Sequence, residues 1–161
     1  MILDKDAAAK KIYRMAMEIA ERHYSKNEIV LIGIKENGFF IAQKIAASLA
    51  ENFKGAIKTL SLQINKKQPG EILLSENVSL KDKYIILIDD VANSGQTMLY
   101  ALTPLLSQHP AEIQTLALVE RTHKLFPIAV DYVGLSIASG WKEYIEVLIK
   151  DGEVQGAKLK S

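Results

Sequence analysis

Apolar residues recur along this chain in two alternating rhythms. From Ala7 to Tyr24, Ile12, Met15, Ala16, Ile19 and Ala20 return every three to four residues among charged ones, which predicts an amphipathic opening helix with Asp4 or Asp6 as N-cap. Glu28 to Ile34 is a nearly continuous apolar run, broken by Gly33, as expected of a buried strand. A tight loop and a helix from Phe39 to Ala50 should follow, with Phe40, Ile41, Ile45, Ala46 and Leu49 on its apolar side. Ala56 to Ile64 reads as a second strand and runs into Asn65-Lys66-Lys67-Gln68-Pro69-Gly70, the strongest loop punctuation in the chain and an expected mobile segment. Tyr84 to Ile88 is a third strand, and a helix is predicted from Gln96 to Gln108, kinked or ended early by Pro104. Ile113 to Val119 is the next buried strand. Tyr132 to Leu135 and Tyr144 to Ile149 are strand-like, the latter alternating as an edge strand does.

Strands alternating with helices predict an α/β fold with a mostly parallel sheet covered on both faces, and ligands at the carboxyl ends of its strands. The polar loops after Ile34 and after Ile88 fall at such ends. The 161 residues suit one domain spanning 1–161, and 48% hydrophobic with 24% charged residues is the composition of a compact soluble protein. Twenty basic against nineteen acidic side chains leave a formal charge of +1, so no global field points to nucleic acid. The absence of cysteine excludes disulfides, thiolate metal sites and a thiol nucleophile. Met1-Ile2-Leu3-Asp4 places an acid where a signal peptide carries basic residues, and a cytoplasmic location is expected.

The most informative stretch runs Tyr84-Ile85-Ile86-Leu87-Ile88-Asp89-Asp90-Val91-Ala92-Asn93-Ser94-Gly95-Gln96-Thr97-Met98. Two adjacent carboxylates at the end of a buried strand repel each other unless donors or a metal neutralise them, and a sugar diol with Mg²⁺ would do so. Gly95 lets the backbone approach a ligand, while Ser94 and Thr97 add hydroxyls to a ring of loop amides suited to a phosphate at a helix N-terminus. The plain alternative is an acidic strand end that caps the next helix. No Gly-Lys-Ser/Thr ending makes it a P-loop, and it is not a Rossmann fingerprint.

Ile86 to Thr97 resembles the phosphoribosyl-pyrophosphate signature of type I phosphoribosyltransferases, apolar residues followed by D-D-V-x-x-T-G-x-T, with Ser94 where Thr is usual. Ile2-Leu3-Asp4, Glu18-Ile19-Ala20-Glu21-Arg22, Leu31-Ile32-Gly33-Ile34-Lys35-Glu36-Asn37-Gly38, Leu118-Val119-Glu120-Arg121-Thr122-His123-Lys124-Leu125-Phe126-Pro127-Ile128 and Asp131-Tyr132-Val133-Gly134 extend the resemblance to the bifunctional pyrimidine-operon attenuators that are also uracil phosphoribosyltransferases. The resemblance covers nearly the whole chain. It implies the type I phosphoribosyltransferase fold, a flexible hood loop and a small C-terminal base-binding region. It also implies that Asp89 and Asp90 hold the ribose hydroxyls and, through substrate or water, Mg²⁺. Asn93, Ser94, Gly95, Gln96 and Thr97 would hold the 5-phosphate, and Ile34, Lys35 and Glu36 would form the pyrophosphate loop, where Gly33 and Gly38 are read as freeing amides for the anion.

The polar stretch from Gln63 to Ser75 takes the place of the family's catalytic hood. The chain departs from the family there: Leu62-Gln63-Ile64-Asn65-Lys66-Lys67 replaces an acidic, arginine-containing stretch, leaving Lys66 and Lys67 as the cations. Asn93 stands where purine-salvage members carry an Asp acid or base, and an amide cannot titrate in that role. Glu120 stands where those enzymes carry a lysine, and both positions turn the reading from purines toward uracil. Arg121, His123 and Trp141 are candidates for the base pocket, Trp141 by stacking. Arg121 could instead pair with Glu120 or Asp131, while His123, His23 and His109 carry little signal. The implied partners are phosphoribosyl pyrophosphate and a nucleobase or nucleotide, in a homodimer or higher homo-oligomer. A second class of function is an RNA-binding regulator of a pyrimidine operon, with Lys10, Lys11, Arg14 and Arg22 as its basic face interleaved with Glu18 and Glu21.

Overall fold

The computed structural model describes residues 1–65 and 71–161. Strand β1 (Leu3–Asp4) leads directly into helix α1 (Lys5–Arg22), because the Asp4 carboxylate accepts from the Ala7 N–H at 2.8 Å and caps the helix slightly ahead of its predicted start. Strand β2 (Glu28–Ile34) has the predicted bounds. No loop follows it. Lys35 adopts a left-handed φ of 55°, turning the chain straight into helix α2 (Lys35–Ala50).

Two glycines make this joint possible. A Cβ on Gly33 would lie 2.4 Å from the Phe39 Cα, and one on Gly38 would lie 2.7 Å from the Ile88 carbonyl oxygen. They are packing contacts between strand and helix rather than the freely placed amides the sequence suggested.

Strands β3 (Ala56–Ile64), β2, β5 (Tyr84–Ala92), β6 (Glu112–Arg121) and β7 (Tyr132–Ile137) are parallel, and β4 (Ile72–Leu74) adds antiparallel to β3, giving the order β4-β3-β2-β5-β6-β7. The stretch from Gln63 to Ser75 therefore has paired flanks. Ile64 faces Ile72 in the ladder, and the Ser75 N–H bonds the Ser61 carbonyl at 2.9 Å. Lys66, Lys67 and the rest of the predicted loop through Gly70 lie outside the described residues.

Helix α3 (Gln96–Leu106) passes through Pro104 and ends soon after it, short of the predicted Gln108. Strands β8 (Tyr144–Lys150) and β9 (Glu153–Lys160) join β1 in a second, antiparallel sheet ordered β1-β9-β8, which the sequence reading did not predict. Its outer strands are β1 and β8, the latter being the element whose alternation marked an edge.

The large sheet is covered on both faces, as expected. Ile29, Leu31, Ile86, Ile88, Leu116 and Leu118 pack with Met15, Ile19, Ile41 and Ile45 of α1 and α2, whereas Val30, Ile32, Leu60, Leu62, Ile85 and Leu87 pack with Met98, Ala101 and Leu105 of α3. His23, read as uninformative, is buried and bridges the Ile19 carbonyl (3.0 Å) to Glu112 Oε1 (3.1 Å), tying the end of α1 to the start of β6. Among the described residues, no helix is long and apolar enough to cross a membrane.

Candidate functional site

Strand β5 runs on past Ile88, so Asp89 and Asp90 belong to it and stand at the carboxyl end of the large sheet, between β2 and β6. Asp89 is only 8% exposed. Burial first, and then the adjacent Asp90 charge, push its carboxyl well above the ordinary value of 3.8, with Lys35 opposing weakly. The pair is tethered by local donors. The Asp90 N–H donates to Asp89 Oδ1 at 2.9 Å, the Val91 N–H to Asp90 Oδ1 at 2.8 Å, and Asn37 Nδ2 to Asp90 Oδ2 at 2.9 Å.

Two helix N-termini flank these carboxylates. Ile34, buried at the end of β2, offers α2 no side-chain cap; Gly95, at φ 85°, offers α3 none either, and the first turn of α3 carries no acid. α2 therefore keeps first-turn N–H groups without a side-chain acceptor, and α3 keeps those beyond Gln96, whose own N–H is taken by the Ser94 hydroxyl. These elements enclose one cavity of about 450 Å³, lined by Ile34, Lys35, Glu36 and Asn37 from the first, Asp89 to Ala92 from β5, and Asn93, Ser94, Gly95, Thr97 and Met98 from the second.

The turn before α3 is braced from outside. The Ser94 carbonyl accepts from the N–H groups of Leu125 and Phe126, each at 3.0 Å, while its hydroxyl accepts from the Gln96 N–H at 3.2 Å. A Cβ on Gly95 would come within 2.4 Å of Ile128 Cγ2, so this glycine is required both by its left-handed backbone and by the segment packed on it. Asn93 bonds the backbone of Ile145 in β8 through both ends of its carboxamide, at 3.2 and 3.0 Å. Gln96 points away from the cavity, its Nε2 donating to the Tyr100 hydroxyl at 3.2 Å.

Comparison with known proteins places this geometry. The phosphoribosyl transferase domain family matches residues 1–148. The chain belongs to the phosphoribosyltransferase family. It is 35% identical to a bifunctional protein PyrR of Pediococcus pentosaceus, over 93% of this chain and 92% of that one. A bifunctional protein PyrR of Clostridium botulinum is 34% identical, over 94% and 91%. Among solved structures, the hypoxanthine phosphoribosyltransferase of Trypanosoma cruzi superposes with a TM-score of 0.79 at 16% identity, covering 95% of this chain and 91% of that one. A hypoxanthine-guanine phosphoribosyltransferase of Bacillus anthracis gives 0.70 at 20%, covering 90% and 84%. At such identities these structures speak for the fold, which is that of the type I phosphoribosyltransferases.

In this phosphoribosyltransferase the remaining predicted residues lie apart from the cavity lining. His123 is exposed, and Trp141 is 85% exposed in the segment between β7 and β8. Arg121 pairs with neither Glu120 nor Asp131. Its guanidinium donates instead to the Gly140 carbonyl at 3.0 Å, and its buried Nε has no partner among the described residues. Glu120 is held by Lys124 Nζ (2.7 Å) and Ser136 Oγ (2.8 Å), and Asp131 Oδ2 accepts from the Thr115 N–H at 2.9 Å. Two of the four basic residues named on α1 are used by the fold: Arg14 bonds the Val133 and Gly134 carbonyls, and Arg22 lies 4.8 Å over the Tyr132 ring. Asn37 is the polar cavity residue to which the sequence assigned no role, beside the apolar Val91, Ala92 and Met98.

Proposed function

We propose that this phosphoribosyltransferase moves the 5-phosphoribosyl group from phosphoribosyl pyrophosphate to a nucleobase, with uracil as acceptor, releasing pyrophosphate. The observation that carries the proposal is the convergence of two helix N-termini, neither capped by its own N-cap side chain, on one carboxylate pair within a single cavity. A ligand with an anion at each end and hydroxyls between them fits that arrangement. The α3 turn, Asn93 to Thr97, receives the 5-phosphate; Lys35 and the first amides of α2 receive pyrophosphate; Asp89 and Asp90 accept from the ribose hydroxyls.

The transition state places positive charge on the sugar, and the two carboxylates stand on the wall where that charge develops. No protein nucleophile is needed. Mg²⁺, when bound, neutralises the leaving pyrophosphate. Among the described residues no group of three or more His, Cys, Asp or Glu forms a metal cage, so the two carboxylates suit an ion held mainly by substrate oxygens. A hood from the segment between β3 and β4 would exclude water from the reactive sugar.

Uracil as acceptor draws on the family resemblance of the sequence, on Asn93, an amide where purine-salvage enzymes carry an acid, and on Glu120, an acid where they carry a lysine. A cytoplasmic homo-oligomer completes the reading. Incubation with phosphoribosyl pyrophosphate, Mg²⁺ and uracil, hypoxanthine or guanine, with pyrophosphate release as the readout, tests it. Release with uracil alone is the expected result; release with no base would overturn the reading.

A further inference from the structure

Ile145 lies on β8, which has β9 on one side and, among the described residues, no strand on the other. Its N–H donates to Asn93 Oδ1 at 3.0 Å, and its carbonyl accepts from Asn93 Nδ2 at 3.2 Å. A primary carboxamide sets an acceptor beside a donor, the pattern a neighbouring strand would present to that open edge. Asn93 thus substitutes for one residue of a missing strand. It does so from the turn that precedes α3, at the end of the other sheet.

We propose that Asn93 is a positioning residue that sutures the phosphate-binding turn to the antiparallel sheet, so that the turn and the segment carrying Trp141 keep one fixed relation. The role ascribed to the turn rests on the sugar-phosphate reading above; the suture itself does not. Its chemistry is specific to an amide. A carboxylate at this position could accept from the Ile145 N–H, but its other oxygen would face the Ile145 carbonyl with no hydrogen between them. The surrounding ionisable groups are Asp89 and Asp90 of β5, Lys35 and Glu36 of α2, Glu120 of β6 with its partner Lys124, and Glu146 beside Ile145 with its partners Lys158 and Lys160. Glu120 and Glu146 are matched by these lysines, which leaves Asp89, Asp90 and Glu36 against Lys35, a balance that also disfavours a further negative charge.

Asn93→Asp, nearly equal in volume, separates hydrogen-bond pattern from packing, and Asn93→Ala removes both bonds. Each is compared with the wild-type chain at the same pH, by thermal melting without ligand and by titration with ribose 5-phosphate. At pH 8 Asn93→Asp should melt below wild type and bind ribose 5-phosphate about tenfold more weakly, the size expected for losing a hydrogen bond and opposing two acceptors. An acid whose folded-state pKa is raised brings a penalty that is complete above that value and absent below the unfolded value of about 3.9. The melting deficit of Asn93→Asp should therefore narrow at pH 5, where the protonated carboxyl again donates to Ile145, while the deficit of Asn93→Ala stays.

A deficit for Asn93→Asp that is unchanged between the two pH values, or wild-type behaviour at pH 8, overturns the proposal. Should Asn93→Asp fail to fold at pH 8, recovery of a cooperative melt at pH 5 supports the suture and lack of recovery overturns it. If wild-type protein does not bind ribose 5-phosphate, the sugar-phosphate reading fails, and the ligand-free melts still decide the suture.

Discussion

Asn37 and Asp90 meet where α2 abuts β5, the Asn37 amide donating to Asp90 Oδ2 across 2.9 Å. The Val91 N–H holds the other oxygen of the same carboxylate, at 2.8 Å. Asp90 is thereby fixed in orientation, which a group that must meet a ribose diol requires. Asn37→Ala should weaken phosphoribosyl pyrophosphate binding about tenfold while costing about 1 kcal/mol of stability. Calorimetric titration checks the first figure and chemical denaturation the second. Unchanged affinity would remove Asn37 from the site.

Asp89 is the group this fold holds at greatest disadvantage. Its carboxyl is raised by burial and by Asp90, so its charge opposes folding above the raised value and has no effect below the unfolded value of about 3.9. Asp89→Asn should thus stabilise the chain at pH 8, and the gain should vanish as the pH falls toward 4. Phosphoribosyl transfer should fall by at least two orders of magnitude in the same variant. Melting curves from pH 4 to pH 8, with activity at pH 8, test both halves, and a variant less stable at pH 8 would refute the electrostatic account.

Gly95 has two reasons to be glycine that can be pulled apart. Its φ of 85° costs an L-residue about 1–2 kcal/mol, and its added Cβ meets Ile128 Cγ2 at 2.4 Å. Gly95→Ala should lose stability for both reasons, and Ile128→Ala in that background should restore the steric part. A double-mutant cycle followed by denaturant melts should show a coupling of about 1 kcal/mol. Strict additivity would mean that the Ile128 side chain does not press on position 95.

Trp141, 85% exposed, is the only tryptophan in the chain. If it stacks on an acceptor base, acrylamide quenching of its fluorescence should drop when UMP binds and stay unchanged when pyrophosphate binds alone. Equal quenching with and without UMP would take Trp141 out of the base pocket.

How far the sequence carried depended on how local each signal was. The strand Glu28–Ile34 was readable to its ends, because a strand buried on both faces is a continuous apolar run. The Asp89-Asp90 pair and the turn to Thr97 were readable because their chemistry is contiguous. The joint at Lys35 was not: a lysine with φ of 55° gives none of the turn signals that glycine or asparagine would. Strand β9 was missed because its polar positions are held by cross-strand pairing of Lys158 and Lys160 with Glu146 rather than by burial. The partners of Asn93 and Arg121 escaped notice for a similar reason. They are backbone groups of Ile145 and Gly140, which any residue type at those positions would supply.

The pairing of Leu3 with Ala157 sets a timetable for biosynthesis. A ribosome delivers β1 first and β9 last among these elements, so every strand of the parallel sheet exists before β1 can find its partner. During that interval the nascent chain has the carboxylate pair and the turn beside it, but not the closed small sheet behind Asn93. Late translation, rather than the early hydrophobic strands, is where a stalled or truncated product would be left with an unfinished catalytic wall.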